Sequence, residues 1–167
     1  AKKNFPDSKS DLFAMFMERC NAFVKPNGFQ AMITQQAWMF LSSYEKLREK
    51  VLQKTIVNMA YLGPRAFDKI GGEVVQTTAF VVLQLKVPAF KGTYCRLVKP
   101  TSQQAKEKLF LTGDSRYTAQ QESFAKIPGE PIAYWLSNEE ISLFDIKNKI
   151  GDIAISDGQN KTGDNAT

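Results

Sequence analysis

The segment FQAMIT (residues 29–34), with the turn KPNG (residues 25–28) before it, is the strongest indication of the fold of this chain. FQAMIT is a short, mostly apolar run of the kind found in buried parallel strands. Residues 56–62 and 77–85 are two further strand candidates, the latter rich in β-branched and apolar residues. A helical pattern separates the first two runs, and this strand–helix–strand order predicts an α/β sheet with right-handed crossovers.

Two helical patterns flank the first predicted strand. One follows a Ser8-x-x-Asp11 capping box, and the other follows a Ser42-x-x-Glu45 capping box. Apolar residues recur at helical spacing in the first helix, namely Leu12, Phe13, Phe16, Cys20, Phe23 and Val24. The second helix is predicted to bury Tyr44, Leu47 and Val51.

The pattern changes after residue 88. Further along, the predicted elements are an edge strand (93–98), a short helix (102–110) with Lys106 and Lys108 exposed, and helical pieces (132–136 and 139–144) around Trp135. Residues 151–167 are polar and rich in turn-forming residues, which indicates a linker or the start of another domain.

The composition excludes several classes of site. The chain contains no histidine, which removes Ser–His and Cys–His catalysis and histidine metal ligands. Cys20 and Cys95 lie far apart, without neighbours at metal-ligand spacing, and are interpreted as buried free thiols of a cytosolic protein. No run approaches the ~18 apolar residues of a membrane span, so a cytoplasmic protein without a membrane partner is expected.

The net charge of +5 is unevenly distributed along the chain. Residues 1–110 hold 17 Lys and Arg against 8 Asp and Glu, whereas residues 111–167 hold 5 against 9. A basic first part favours a polyanionic partner, because neutralising phosphates releases their counterions. Solvated lysines on ordinary helices would give the same counts, and the charge alone does not separate the two interpretations.

An ordered set of motifs in this chain resembles the later part of bacterial adenine-specific DNA methyltransferases. The resemblance covers about residues 8–90 and is strongest to the PglX-type methyltransferases of BREX phage-defence systems, followed by fused restriction–modification enzymes. Its motifs are PNGFQAMIT (26–34), Trp38, LRE (47–49), YLG (61–63), Phe67 and TTAFVVL (77–83).

The resemblance implies an α/β fold with a partial Rossmann-like methyltransferase sheet, holding the later strands only, and a mixed α+β C-terminal extension. Residues 1–90 would form the C-terminal half of the catalytic domain. Residues 91–150 would bridge toward target recognition, and residues 151–167 would be a linker or the start of the target-recognition domain.

The activity implied is methyl transfer from S-adenosylmethionine to the exocyclic amine of an adenine flipped out of double-stranded DNA. In that family the cofactor glycines and the catalytic Asn-Pro-Pro-Tyr motif come earlier in the chain. This sequence has no Gly-x-Gly and no Pro-Pro pair, so we expect no catalytic or cofactor-binding residue here and no activity of the chain alone. The expected partners are double-stranded DNA, the rest of the methyltransferase chain and other proteins of a defence system.

One functional position of the family is matched in this chain. The family places an aromatic residue in the loop before its last central strand, stacked on the flipped adenine, and Phe67 matches it. Arg65 and Lys69 flank Phe67 and are candidates for contacts with the neighbouring phosphates. The alternatives are that Phe67 packs under its own loop and that the two cations are solvated. Six basic residues between 86 and 108, among them Arg96, form a second candidate DNA-facing surface or a solvated one.

A competing hypothesis is a non-catalytic nucleic-acid-binding or scaffold module that keeps the sheet without the chemistry. Trp38 and Met39 follow the first strand, where ligand crevices form in open α/β sheets, and packing against the next helix is the alternative for them. A sheet without its first strands would expose an apolar edge and face, so the isolated chain is expected to self-associate.

Overall fold

The computed structural model describes residues 3–67 and 75–145. Its centre is a five-stranded sheet in the order β1-β3-β2-β4-β5. The parallel pair is β2 with β4, and the other three neighbouring pairs are antiparallel. The strands are β1 (Phe29–Gln35), β2 (Thr55–Gly63), β3 (Thr77–Leu83), β4 (Lys91–Arg96) and β5 (Arg116–Gln120).

The three strands predicted in the first ninety residues are confirmed, whereas their pairing differs from a simple parallel order. β3 lies between β1 and β2 and runs antiparallel to both, so β1 and β2 point the same way without being hydrogen-bonded to each other. The strand predicted at the sheet edge is internal, because β4 pairs with β2 on one side and with β5 on the other. β5 was missed, since RYTAQ is short and its alternation rests on two apolar residues, Tyr117 and Ala119, which pack against the core.

The helices are α1 (Leu12–Phe23), α2 (Glu45–Leu52), α3 (Gln103–Thr112) and α4 (Asn138–Ser142). The helical piece predicted at residues 132–136 is wrong, because this segment has an extended and turn conformation. Pro131 precedes it, and the Ile132 amide donates to the carbonyl of Met39 (3.0 Å) instead of to a helical partner. The segment is therefore bound to the main body by its backbone.

Both predicted capping boxes are wrong. Asp11 itself caps α1 by accepting from the Leu12 amide, and Ser8 is buried away from the helix end. Residues Ser42–Tyr44 form a 3-10 turn, and α2 starts after it without a side-chain cap. A complete capping box is found at α4, where Ser137 and Glu140 satisfy each other's backbone amides.

The hydrophobic core lies on one face of the sheet, under α1 and α2. The predicted burial of Tyr44, Leu47 and Val51 is confirmed. Other buried members are Ala14, Met17, Trp38, Met39, Ile56, Phe80, Tyr94, Phe124 and Ile132. The extension beyond residue 91 thus shares one core with the first ninety residues.

The opposite face of the sheet is open and apolar. It bounds a depression of about 770 Å³ whose lining includes Ala31, Ile33, Val57, Ala79 and Val81. On β1 the hydropathy is inverted, because polar Gln30 and Thr34 are buried while Phe29 and Ile33 are 62% and 59% exposed. The outer side of α1 is also apolar and exposed, through Leu12, Phe16 and Phe23.

Arg48 on α2 connects the two parts of the core. It is 1% exposed, and its guanidinium donates to the carbonyls of Trp38 (3.0 Å), Leu41 (2.6 Å) and Gly129 (2.6 Å from Nη2 and 3.1 Å from Nε). Burial lowers the pKa of Arg48 from its usual range. One side chain therefore joins the turn after β1 to the turn at Gly129, which lies 81 residues beyond Arg48 itself.

Replacing Arg48 with alanine is expected to lower the free energy of unfolding by roughly 3 kcal/mol or more, because buried carbonyls lose their donors. Lysine should cost less, since it keeps the charge but lacks the planar fork. Urea denaturation followed by tryptophan fluorescence measures the loss. Lys46→Ala, an exposed change on the same helix, is the matched control. Its free energy of unfolding should stay within about 0.5 kcal/mol of that of the unsubstituted chain. Equal losses in the two alanine variants would contradict this role for Arg48.

Candidate nucleic-acid interface

The carboxyl ends of β1, β2 and β4 meet at one edge of the sheet, because these three strands run in the same direction. At this edge Thr77 of β3 lies opposite Gln35 of β1 and Gly63 of β2, and Tyr61 of β2 lies beside Arg96 of β4. Ligand crevices in open α/β sheets form outside the carboxyl ends of the strands. This carboxyl edge, at the ends of the three strands, is therefore the candidate site.

The segment that carries Phe67 leaves the sheet at this edge. Gly63 adopts a positive φ of 69°, and a Cβ there would come within 3.0 Å of the Val98 Cα. Arg65 is exposed and also has a positive φ, of 53°. Phe67 is 39% exposed, while Lys69 lies outside the described residues. The close approach to Val98 sets the direction in which the segment departs.

Four aromatic side chains from three separate segments contact one another at the carboxyl edge. We call them the aromatic cluster: Phe40, Tyr61, Tyr134 and Trp135. The ring of Phe40 lies 6.0 Å from Tyr61 and 5.7 Å from Trp135, centroid to centroid. Tyr134 and Trp135 are 5.1 Å apart and edge-to-face. Sequence reasoning missed the cluster, because only the tertiary fold brings residues 40, 61 and 135 together.

Buried polar atoms without hydrogen-bond partners also lie at this edge. Within the described part of the chain these are Gln36 Oε1, Thr77 Oγ1 and Arg96 Nε. The neighbouring Gln76 is satisfied, since its side-chain oxygen accepts from the Tyr61 hydroxyl and its carbonyl accepts from the Gln36 amide (3.0 Å). A buried polar atom left unpaired costs about 1–3 kcal/mol. Three of them at one edge fit a surface that a polar ligand completes.

Lys106, which was predicted to be exposed, is 4% exposed and is a structural residue. Its ammonium group on α3 donates to the carbonyls of Leu62 (2.7 Å) and Leu97 (2.6 Å), just at the ends of β2 and β4. Burial lowers the pKa of Lys106. The strand end from which the Phe67 segment departs is therefore anchored to α3.

Two of the six basic residues in the second candidate DNA-facing surface are engaged within the fold. Lys106 is buried, and Lys86 lies beside α2, where it donates to the Leu52 carbonyl (2.9 Å) and pairs with Glu122 (3.6 Å). Among the other basic residues between 86 and 108, Arg96 lies at the carboxyl edge next to Tyr61.

Trp38 and Met39 serve packing and not ligand binding, since both are fully buried. The Trp38 indole donates to the Thr34 hydroxyl (3.1 Å), and its ring lies edge-to-face on Phe80 at 5.2 Å. The turn after β1 is thus filled by a side chain and contains no glycine.

Within residues 3–67 and 75–145, no group of three or more His, Cys, Asp or Glu side chains could hold a metal ion. Cys20 and Cys95 are free thiols, as predicted, but only Cys95 is buried and Cys20 is half-buried. Burial raises the pKa of Cys95. Among the helices of the described part of the chain, none has the length and apolar character needed to cross a bilayer.

Comparison with known proteins confirms the resemblance to adenine-specific methyltransferases. Residues 1–66 match the family described as Eco57I restriction-modification methylase. The chain is 54% identical over 147 residues to adenine-specific methyltransferase PglX of Lacticaseibacillus casei (strain Zhang), a match that covers 84% of this chain and 12% of the relative. It is 49% identical over 145 residues to adenine-specific methyltransferase BrxX of Escherichia coli O9:H4 (strain HS), covering 86% of this chain and 12% of the relative. The chain thus spans about an eighth of the length of these relatives.

Proposed function

We propose that this chain, similar over most of its length to a segment of adenine-specific methyltransferases, is part of an S-adenosylmethionine-dependent DNA adenine methyltransferase. In this proposal it supplies the side of the catalytic domain that receives the target base. The reaction would transfer a methyl group to the exocyclic amine of an adenine extruded from the duplex. The family description on residues 1–66 supports placing the parent protein in a restriction–modification system. A phage-defence role and a cytoplasmic location belong to the same proposal.

The residues described here do not fit the cofactor. The turn after β1 is filled by the buried Trp38, and the sequence contains neither a Gly-x-Gly turn nor an Asn-Pro-Pro-Tyr motif. S-adenosylmethionine and the catalytic groups would therefore be held by other parts of the parent chain. The role left for this segment is to receive and orient the base.

The exposure of Phe67 at the carboxyl edge is the observation that carries the proposal. Its ring is 39% exposed on a segment that starts at Gly63, where the strand end is fixed by Lys106. A base stacked on an aromatic ring gains about 1–3 kcal/mol, and any base presents a suitable face. Arg65, exposed two residues before Phe67, and Lys69 would contact phosphates beside the extruded nucleotide.

The open apolar face of the sheet supports the rest of the methyltransferase chain as a partner. Phe29 and Ile33 project from β1 on that face while the polar side chains of the same strand are buried. This alternation exposes apolar side chains to water in the isolated chain. Large exposed apolar patches mark protein interfaces. Other proteins of a defence system would bind elsewhere on the parent protein.

Replacing Phe67 with alanine in the full-length parent enzyme is expected to weaken capture of the extruded base roughly 5- to 150-fold, the equivalent of about 1–3 kcal/mol of lost stacking. A fluorescent adenine analogue at the target position reports base extrusion, and methyl transfer from labelled cofactor reports turnover. Cofactor affinity should stay unchanged, because the ring contacts only the base.

Phe144→Ala is the matched control, since Phe144 is 38% exposed and lies in a different element. Phe67→Trp should restore base capture. If Phe67→Ala leaves both base capture and turnover intact, the assignment of Phe67 is overturned. A parent protein that binds DNA without methylating adenine would instead favour the non-catalytic binding module.

The isolated chain is expected to self-associate through its open face, and Ile33→Glu should shift it toward the monomer because a carboxylate opposes apolar contact. Sedimentation velocity at high micromolar concentration measures the distribution. Leu143→Glu is the control, as Leu143 is similarly exposed (64% against 59%) but lies in the turn after α4. If the isolated chain without substitutions is monomeric at that concentration, the expectation is refuted.

A further inference from the structure

Arg96 occupies a defined place at the carboxyl edge. It is the last residue of β4 and lies beside Tyr61 in the parallel register with β2. The next residue along, Leu97, donates its amide to the Tyr61 carbonyl (2.8 Å). Arg96 is therefore held next to the strand from which the Phe67 segment departs two residues later.

The guanidinium of Arg96 is stacked on an aromatic ring. Its central carbon lies 4.6 Å from the centroid of Trp135. Trp135 is itself fixed by ring contacts with Phe40 and Tyr134, and the Tyr134 hydroxyl donates to the Cys95 carbonyl (3.2 Å). The cation is thus held over the ring of Trp135.

Arg96 is half-buried, and it differs from the buried cations Arg48 and Lys106 in having an unsatisfied donor. Arg48 donates to three carbonyls and Lys106 to two, whereas Arg96 Nε is buried without a hydrogen-bond partner. Among the ion pairs between described residues, those of Lys50 and Lys86, none involves Arg96. The terminal Nη1 and Nη2 atoms of Arg96 are not among the buried unpaired atoms, and they donate to none of the described residues, so an acceptor from outside this segment can reach them.

A phosphate group is the acceptor that suits this donor. A planar guanidinium offers two parallel N–H groups that match a phosphate or carboxylate. The first 110 residues carry 17 basic against 8 acidic side chains, which favours approach of a polyanion over that of a single carboxylate. The Phe67 segment beside it would receive the base attached to the same backbone.

We propose that Arg96 binds a phosphate of the DNA strand next to the extruded nucleotide, and that Trp135 is the residue that positions its guanidinium. The inference rests on the proposed function for the identity of the nucleic acid. It adds a phosphate contact on β4, separate from the Phe67 segment, and gives the C-terminal extension a part in DNA binding through Trp135.

The test measures DNA binding by the full-length parent protein across a range of salt concentrations. Arg96→Gln is expected to weaken binding to target and non-target duplexes alike, and to reduce the slope of log K against log salt by about 1, the value for one lost phosphate contact. Arg96→Lys should keep most of the slope, because it retains the charge. An unchanged slope and affinity in Arg96→Gln would overturn the proposal.

Arg19→Gln is the matched control, since Arg19 also lies over an aromatic ring, that of Phe23 at 4.5 Å, but on α1. Its salt slope should equal that of the parent protein. Trp135→Leu should lower affinity while the slope is kept, because the charge remains but loses its orientation, and Trp135→Phe should restore affinity. If Trp135→Leu binds as well as Arg19→Gln, the positioning role is wrong.

These readouts separate the inference from the proposed function. Salt-dependent DNA binding needs no methyl transfer, so Arg96 can be tested even in a parent protein that does not methylate. If the unsubstituted parent protein does not methylate adenine while Arg96→Gln alters the salt slope, the proposed function alone is refuted. If the unsubstituted parent protein methylates adenine while Arg96→Gln leaves the salt slope unaltered, the Arg96 contact alone is refuted.

Discussion

The buried guanidinium of Arg48 is the interaction on which the arrangement of this chain depends. It bridges the turn after β1 and the turn at Gly129, and the second turn leads into the segment that carries Tyr134 and Trp135. A buried charge is tolerated only when its donors are satisfied, and here carbonyl dipoles provide the acceptors. Because dipoles must be correctly placed to stabilise a cation, the Arg48 geometry fixes both turns together. The aromatic cluster at the carboxyl edge follows from that constraint.

Lys106 applies the same principle to the strand ends. Strands that finish together leave carbonyl groups at their carboxyl ends, and the ammonium group of Lys106 covers two of them, on Leu62 and Leu97. Carbonyl oxygens would repel a phosphate, whereas a cation among them lessens that repulsion. The two buried cations, Arg48 and Lys106, therefore fix the backbone at the carboxyl edge. They also lessen the repulsion between this edge and a polyanion. Arg96 is the cation at this edge whose buried Nε keeps its hydrogen-bonding capacity unused.

The strands of the first ninety residues could be predicted because they are long and rich in β-branched residues, as in TTAFVVL (77–83). Their order could not, since the place of β3 between β1 and β2 depends on contacts across the whole sheet. FQAMIT suggested a strand buried on both faces, yet Gln30 and Thr34 point inward and pair with Met17 and Trp38. Phe67 is a candidate because it matches a family motif, whereas Arg96 and Trp135 meet only in the tertiary fold, 39 residues apart in sequence.

The open face of the sheet and the carboxyl edge differ in chemistry and therefore suit different partners. The open face displays apolar side chains such as Phe29 and Ile33, so what covers it should be protein, because apolar area gains free energy only by losing contact with water. The carboxyl edge carries the guanidinium of Arg96 over Trp135, and this cation needs an acceptor-rich, negatively charged ligand. Ile33 and the aromatic cluster lie on opposite sides of the sheet, since the cluster belongs to the core and the β1 residues do not. Protein bound on the open face would therefore leave the edge available for DNA.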